Sequence, residues 1–388
     1  MTDFGEITMN LGVYIHIPFC VQKCLYCDFP SVADGAALYD AYTTALCREI
    51  AGKGGILSAH RVDTIYIGGG TPTVLPAACL ERIGRSLRDH AAIAADAEFS
   101  VEANPGTLCA ARLAALKGIG VSRLSIGVQA FDNDVLAAAG RIHTAAQAAQ
   151  AVENARAAGF ANLSVDLMYG LPGQTPDSFR AGLERAAALP VSHISAYGLK
   201  VEEGTPFAAR RAAGSLDLPD EDSEDAMYEL AASWLPAHGF ERYEISNYAK
   251  PGAECRHNLK YWRYQPYIGL GAAAHSFWRG ERIANTADIG GYIDRLAAGH
   301  PPEASRERSV PAVAMAEFIF LALRTAAGLS FPAFAAEFGV LFPSRYASTS
   351  EKLAARGLVA MVGETLRLTP LGMKYGNVVF AAFLPDEA

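Results

Sequence analysis

The chain of 388 residues has few cysteines, no surplus of basic residues and no low-complexity tract. Its seven cysteines are odd in number and sparse, which argues against the disulfide framework of a small secreted protein. A net charge of -8 and a pI near 5.6 argue against nucleic acid as the main partner, because phosphate binding relies on clustered Lys and Arg.

Signals for secretion and membrane insertion are also missing. Residues 1–6 carry acids where a secretory signal has a basic segment followed by an apolar core. The apolar run that comes closest to membrane-spanning length, Val310 to Leu323, contains Glu317 and is followed by Arg324. With 51% hydrophobic and 19% charged residues, the composition is that of a soluble globular protein. We therefore expect a cytoplasmic protein without a transmembrane segment.

Three cysteines stand close together near the N-terminus. Cys20, Cys24 and Cys27 form the pattern Cys-x3-Cys-x2-Cys directly after the strand-like run Val13–Ile17. Soft thiolates select zinc, copper or iron–sulfur clusters, and a structural zinc site takes four closing ligands, often as two cysteine pairs. No second such pair exists, so three thiolates favour an iron–sulfur cubane with one iron open to a ligand. Two alternatives are three unrelated core cysteines and a zinc site completed by a histidine. The cysteines interpreted as small buried helix residues are Cys47, Cys79 and Cys109.

Short apolar runs rich in β-formers alternate with stretches of helical periodicity. The predicted strands are Val13–Ile17, Val62–Ile67, Phe99–Val101, Ser122–Val128, Leu163–Met168 and Val191–Leu199. The predicted helices are Leu38–Gly52, Ala77–Arg88, Leu108–Lys117, Thr144–Ala158 and Pro176–Ala188. Nearly continuous apolar strands in β–α repeats predict an α/β fold, with a parallel sheet covered by helices. Spacing alone does not separate a partial barrel from an open doubly wound sheet.

Glycine and polar residues follow the predicted strands, where the active site of a parallel barrel gathers. Strand two ends in Gly68–Gly70 and Thr71, and the glycines let a ligand approach the backbone closely. This run is neither a dinucleotide fingerprint nor a Walker loop, because the spacing and the lysine are missing. Glu102, Gln129 and Asp166 occupy corresponding points after the next three strands. One of them alone could be a buried polar group whose hydrogen bonds are made within the core. Three at corresponding positions after successive strands predict a site for a polar ligand.

These segments resemble radical S-adenosylmethionine (SAM) proteins, and within them the oxygen-independent coproporphyrinogen III oxidase family. The likeness covers nearly the whole chain and lies in Tyr14–Cys20, Gly68–Thr73, Gly127–Phe131 and Asp166–Pro172. The resemblance implies a partial (β/α)6 barrel and a [4Fe–4S] cluster on the three cysteines, with SAM bound at its open iron. The residues that it places at S-adenosyl-L-methionine are Tyr14, Gly68, Gly69, Gly70, Thr71, Glu102, Gln129, Arg141 and Asp166.

Two features divide this family. Its dehydrogenases have a fourth cysteine two residues beyond the third, where this chain has Phe29, and an N-terminal extension, where this chain has a short segment. The run from His257 to Trp262 has the pattern His-Asn-x-x-Tyr-Trp, which resembles the HemW-like haem chaperones. The resemblance therefore favours a chaperone that delivers haem to acceptor haemoproteins such as respiratory enzymes, without coproporphyrinogen dehydrogenase activity. The alternative is an oxygen-independent coproporphyrinogen III dehydrogenase.

The chemistry of the His257 segment is compatible with haem. Haem iron takes an axial His or Cys, and aromatic faces pack against the porphyrin. We expect His257 to be the axial ligand, with Cys255 as the second choice. Arg256 or Lys260 would then lie near a propionate. The alternative is a hydrogen-bonded lid over the SAM site. The expected partners are haem and acceptor haemoproteins. The protein would also make peripheral contact with membrane respiratory complexes.

The C-terminal part differs in pattern from the rest of the chain. Helical periodicity at Val310–Arg324, Pro332–Phe338 and Thr349–Arg356, followed by a hairpin, predicts a small winged-helix-like module. Winged helices often bind DNA. From Arg306 onward, however, the chain has eight basic and seven acidic residues, and this near-equal balance of charge argues against a phosphate-binding face. We predict a radical SAM core over residues 1–235, a connecting segment over 236–304 and a C-terminal accessory domain over 305–388.

Overall fold

The computed structural model of the chain describes residues 9–385, so residues 1–6 considered above lie outside it. Its strands are β1 Asn10–Ile17, β2 Phe19–Cys20, β3 Val32–Ala33, β4 Arg61–Gly69, β5 Ile93–Ala103, β6 Arg123–Gln129, β7 Asn162–Tyr169, β8 His193–Gly198, β9 Glu241–Arg242, β10 Asn247–Ala249, β11 Tyr267–Leu270, β12 His275–Trp278, β13 Glu281–Asn285, β14 Glu303–Arg308, β15 Leu329–Ser330, β16 Val359–Val362 and β17 Thr365–Leu368.

Helices connect most of these strands. They are α1 Tyr39–Gly52, α2 Gly54–Ala59, α3 Ala77–His90, α4 Ala110–Gly118, α5 Asn133–Ala138, α6 Ala145–Ala157, α7 Pro176–Ala188, α8 Pro206–Ala212, α9 Glu221–Ala237, α10 Arg256–Trp262, α11 Ile289–Ala297, α12 Pro311–Leu323, α13 Phe331–Phe338, α14 Phe342–Ala355, α15 Pro370–Lys374 and α16 Gly376–Ala381. In the described part of the chain, no helix is long and apolar enough to cross a membrane.

A large sheet carries the fold, in the strand order β14-β13-β12-β11-β1-β4-β5-β6-β7-β8-β10-β9. Every neighbouring pair from β11 to β8 is parallel. The sheet has two free ends and is therefore open, so it forms a partial barrel rather than a closed one. The predicted α/β fold with a partial barrel of β–α units is confirmed.

The core follows from strands that are buried on both faces. On one face, Val13 pairs with Ile65 and Ile15 with Ile67, and none of the four has exposed surface. Burying one such side chain stabilises the fold by roughly 1.5–3 kcal/mol relative to exposure. Most predicted strands and helices of this region are present, with shifted ends. Cys79 is buried as predicted, but Cys109 is exposed just before α4, so the prediction for Cys109 was wrong.

The largest difference from the sequence prediction is the strand β11, which extends the parallel sheet beyond β1. Tyr267 pairs with Gly12 and Leu270 with Ile15. Strands β12 to β14 then continue the sheet as an antiparallel meander. Because β11 has only four residues and its partner is the first strand of the described chain, local patterning did not indicate it.

The C-terminal helices α12, α13 and α14 pack with a small antiparallel sheet in the order β15-β17-β16. Their buried side chains, which include Ile319, Phe334 and Phe342, form an apolar cluster separate from the barrel core. The predicted helices and hairpin are present, with β15 as an additional strand. The boundaries of the three predicted domains stay predictions.

Candidate cofactor-binding cavity

A cavity of roughly 390 Å³ lies at the carboxyl ends of the parallel strands, where residues from β4 to β8 converge. It opens beside the loop that carries the three N-terminal cysteines. The predicted site residues that line it are Cys20, Cys24, Cys27, Gly69, Gly70, Thr71, Glu102, Gln129, Arg141 and Asp166. The structure thus brings ten of the thirteen predicted residues to one place.

The cysteine loop connects β2 with β3, and its three thiols are half-buried. Arg141 Nη1 lies 3.1 Å from Cys24 Sγ, and the hydroxyl of Thr71 lies 3.6 Å from Cys20 Sγ. Among residues 9–385, no three His, Cys, Asp or Glu side chains are close enough to hold a single metal ion. A cubane binds each cysteine through a different iron atom, and half-buried sulfur ligands on one loop are the donor set that such a cluster takes. The three thiols fit a [4Fe–4S] cluster on these grounds.

The glycine run allows close contact between the strand ends. Gly69 has a φ of 109°, and a Cβ there would lie 2.5 Å from Cε1 of His16. A Cβ on Gly70 would lie 2.6 Å from the carbonyl oxygen of Phe19, next to the cysteine loop. The glycines are therefore required by packing as well as by access for a ligand.

Glu102 is held at the end of β5 by two donors. Its Oε1 accepts from the hydroxyl of Tyr66 at 2.7 Å, and its Oε2 accepts from the backbone N–H of Gly69 at 3.1 Å. Burial raises the pKa of Glu102 to about 7, opposed by the bond from Tyr66. A carboxylate fixed in this way is suited to accept from an amino group of a ligand.

Gln129 and Arg141 meet at the end of β6. Gln129 has a φ of 69° and follows an irregularity in the pairing of β6 with β7, so its backbone leaves the strand in the left-handed region. Strain of this kind in a residue other than glycine is typical of functional sites. Arg141 Nη2 donates to the carbonyl of Gly127 at 2.5 Å, which holds its guanidinium between β6 and Cys24.

Asp166 lies in the middle of the sheet at β7. Its carboxylate accepts from the hydroxyls of Ser195 at 2.7 Å and Ser125 at 3.1 Å. Burial raises the pKa of Asp166, opposed by the hydrogen bond from Ser195 and by the charge of Arg123. With both serines donating, the carboxylate keeps acceptor capacity for a hydroxyl or amino group in the cavity.

Three predicted residues lie outside the cavity lining. Tyr14 bonds His16 through its hydroxyl at 2.9 Å and stacks on Tyr66, which does line the cavity. Gly68 lies against Glu102, whose Oε2 would be 2.8 Å from a Cβ at that position. Tyr14 and Gly68 therefore support the cavity wall, and the third residue, His257, lies in the barrel interior.

His257 is fully buried, and its two ring nitrogens are both hydrogen-bonded. Nδ1 lies 2.9 Å from the hydroxyl of Thr64, Nε2 lies 2.8 Å from that of Tyr261, and the ring stacks on Tyr66. An axial bond to haem iron would have to replace one of these hydrogen bonds. Burial lowers the pKa of His257 to about 3, so the ring is neutral. Axial ligation by His257 and the alternative of a hydrogen-bonded lid over the SAM site both stay predictions.

The other candidate haem contacts are also engaged. Cys255 is fully buried, Arg256 donates to the backbone carbonyl of Asp96, and Lys260 pairs with Asp63 at 2.8 Å. The helix α10 is further held by Glu98, which accepts from the first backbone N–H groups of the helix. The His-Asn-x-x-Tyr-Trp segment therefore fills the barrel beneath the cavity.

Comparison with known proteins identifies the family. A model of the radical SAM superfamily matches residues 14–186, and a model of the HemN C-terminal domain matches residues 311–375. The heme chaperone HemW of Bacillus subtilis is 40% identical over 379 residues, covering 97% of this chain and 99% of the relative. The heme chaperone HemW of Lactococcus lactis is 36% identical over 376 residues, covering 97% and 98%. The chain belongs to the HemW-like group of the radical SAM superfamily.

A solved structure supports the same family. Coproporphyrinogen III oxidase (HemN) from Escherichia coli, a radical SAM enzyme, matches with a TM-score of 0.85 and 25% sequence identity. The match covers 97% of this chain and 90% of that chain, so it includes both the barrel and the C-terminal module. Phe29, two residues beyond the third cysteine, lines the cavity with an exposed side chain.

Several residues that line the cavity were not predicted. They are Tyr26, Tyr66, Arg123, Ser125, His193, Ser195, Tyr197, Lys200, Asn247 and Asn258, among others. Several stand at alternate positions of one strand, as Arg123 and Ser125 do on β6 and His193, Ser195 and Tyr197 do on β8. Polar residues at alternate positions of a buried strand were the available signal.

Proposed function

We propose that this protein is a haem chaperone that binds a [4Fe–4S] cluster, SAM and haem and passes haem to acceptor haemoproteins such as respiratory enzymes. The observation that carries the proposal is the nearly full-length similarity to proteins named heme chaperone HemW. The acceptor and any contact with membrane respiratory complexes belong to this proposal.

Cluster and SAM binding are supported by the cavity. Cys20, Cys24 and Cys27 would hold the cluster, which supplies single electrons and an open iron when bound. The amino group of SAM would meet Glu102, and its hydroxyls would meet Asp166. Arg141 lies 3.1 Å from Cys24 Sγ and would offset the negative charge of the thiolates.

For haem, the support comes from the relatives. Axial ligation by His257 stays a prediction, and it requires the segment to open, because both ring nitrogens are hydrogen-bonded in the closed fold. A His257→Ala variant should shift the haem absorption spectrum if this opening occurs. An unchanged spectrum would remove His257 as the ligand source and leave the carrier role standing.

The second candidate function is oxygen-independent coproporphyrinogen III dehydrogenase. It is favoured by the TM-score of 0.85 to the HemN enzyme and by the shared cavity. Phe29 argues against it. The two functions are separated by anaerobic reconstitution of the wild-type protein, followed by parallel assays of haem retention and of coproporphyrinogen III decarboxylation with SAM and a reductant. We expect haem retention without decarboxylated product. Robust SAM-dependent decarboxylation would overturn the proposal.

A further inference from the structure

The inner end of the cavity contains a buried cation without a direct partner. Arg123, at the start of β6, is 2% exposed and lines the cavity. Its Nε has no hydrogen-bond partner, and the guanidinium forms no hydrogen bond or ion pair with any residue in 9–385. A buried charge without a hydrogen-bonded partner costs considerable free energy. The N–H donors of its two Nη atoms are thus available to a ligand.

Neighbouring carboxylates balance this charge from a distance but are bonded elsewhere. Glu98 accepts from the backbone of Arg256 and His257, and Glu102 from Tyr66 and Gly69. The third carboxylate is that of Asp166 on β7, which accepts from two serine hydroxyls. All lie beyond ion-pair distance from the guanidinium. They hold the arginine charged without occupying its donors.

Two amides from other elements also line the cavity. Asn258, in helix α10, lines the cavity and makes no side-chain hydrogen bond to the described residues. Asn247, in β10, is 3% exposed; its Nδ2 donates to Glu244, while its Oδ1 has no partner. Unsatisfied groups from β6, α10 and β10 therefore line the same cavity. Buried polar groups are rarely left unsatisfied in native proteins, so each requires an explanation.

We propose that Arg123 and Asn258 form a carboxylate-binding subsite at the inner end of the cavity, with Asn247 Oδ1 as an accompanying acceptor. The planar guanidinium matches a carboxylate through two parallel N–H donors, and the Asn258 amide adds a further donor. A dianionic phosphate suits the position less well, because Glu102 and Asp166 lie in the same cavity. The subsite also gives Asn258, the asparagine of the His-Asn-x-x-Tyr-Trp pattern, a role different from that of its buried neighbour His257.

This subsite deepens the proposed function. Two molecules could supply the carboxylate, and for one of them the subsite rests on the proposed function. A haem propionate reaching inward from the mouth is one source. The amino-acid carboxylate of a methionine-type ligand is the other. Both present the same group to Arg123, and matched probes that lack the carboxylate distinguish them.

The test uses the full-length, anaerobically reconstituted protein in three variants: Arg123→Gln, Asn258→Ala and, as control, Arg156→Gln on the exposed surface of α6. Dissociation constants are measured for haem and haem dimethyl ester, and for L-methionine and L-methioninol. Loss of a hydrogen bond to a charged group should weaken binding of the true carboxylate source by roughly tenfold or more. The ester or the alcohol should show no such loss between wild type and variant. The Arg156→Gln control should bind like the wild type.

The outcomes separate the sources and the proposals. A loss confined to haem identifies a propionate, and a loss confined to L-methionine identifies an amino-acid carboxylate. If the wild type binds no haem, the proposed function fails while the methionine pair still tests the subsite. If Arg123→Gln does not fold, Asn258→Ala decides, because its side chain makes no protein hydrogen bond to lose. Wild-type affinity for both acids in folded variants, or equal losses for acid and ester, would overturn the subsite.

Discussion

Glu102 is the cavity residue that most directly tests the proposed SAM site. The side chain is fixed by Tyr66 and Gly69, and burial raises its pKa to about 7. We predict that Glu102→Gln weakens SAM binding. Replacing a charged acceptor with a neutral one should cost roughly 1.5–3 kcal/mol, or about 10- to 150-fold in the dissociation constant.

The pKa also predicts a pH dependence with a definite sign. The carboxylate is the form that accepts from an amino group, so affinity should fall as pH decreases through the pKa. With a pKa of about 7, roughly nine-tenths of Glu102 is ionised at pH 8 and roughly one-tenth at pH 6. Wild-type affinity should therefore fall by about tenfold over this range from Glu102 alone. Asp166 and Arg123 shift the midpoint in opposite directions.

The assay is equilibrium dialysis of SAM with anaerobically reconstituted protein from pH 6 to 8, with iron content measured in each sample. The α-amino group of SAM titrates near the same range, but it does so equally in wild type and variant. The difference between the two profiles therefore reports Glu102. Glu153→Gln, on the exposed surface of α6, is the matched control. Identical pH profiles and affinities for wild type and Glu102→Gln would refute the reasoning.

Three further predictions concern the cluster cysteines, the buried ion pair between Lys260 and Asp63, and Asp166. Cys20→Ala should abolish bound iron, about four atoms per chain in the wild type, whereas Cys79→Ala should retain it; equal iron in both would contradict the cluster assignment. Lys260→Met leaves Asp63 buried without its partner and should lower the free energy of unfolding by roughly 3–5 kcal/mol in urea titrations. A second change, Asp63→Leu, should restore most of that loss, and an equally unstable double variant would argue against the ion pair. Asp166→Ala should weaken SAM binding while iron content stays at the wild-type level; unchanged affinity would mean that the strand-end argument is wrong.

Much of the barrel was predictable because its information is local. Apolar strands such as Val62–Ile67 and the helices between them repeat at regular intervals, and polar residues after the strands mark one edge of a parallel sheet. Glu102, Gln129 and Asp166 were found in this way, and all three line the cavity. The strand β11 was missed because its pairing with β1 is non-local and its own pattern is short.

The interior of the barrel was harder to predict. Both faces of these strands are buried, so periodicity does not tell which face lines the cavity. Arg123 lies in the predicted strand Ser122–Val128 and was not predicted as a site residue, yet it is buried and lines the cavity. His257 reads as an available ligand among aromatic residues, but the packing of α10 beneath β4 engages both ring nitrogens. Only the tertiary arrangement shows that Asn258, its neighbour, faces the cavity.

Delivery of haem to other proteins is the function that we propose for this chain. The most direct measurement loads the anaerobically reconstituted protein with haem, separates unbound haem, and follows the absorption spectrum after an apo-haemoprotein is added. We predict that the acceptor gains its haem spectrum while the loaded protein loses its own. The acceptor should fill faster than from a control protein that binds haem without a delivery role, at equal haem concentration. Haem that stays on this protein, or that reaches the acceptor no faster than from the control, would contradict the account.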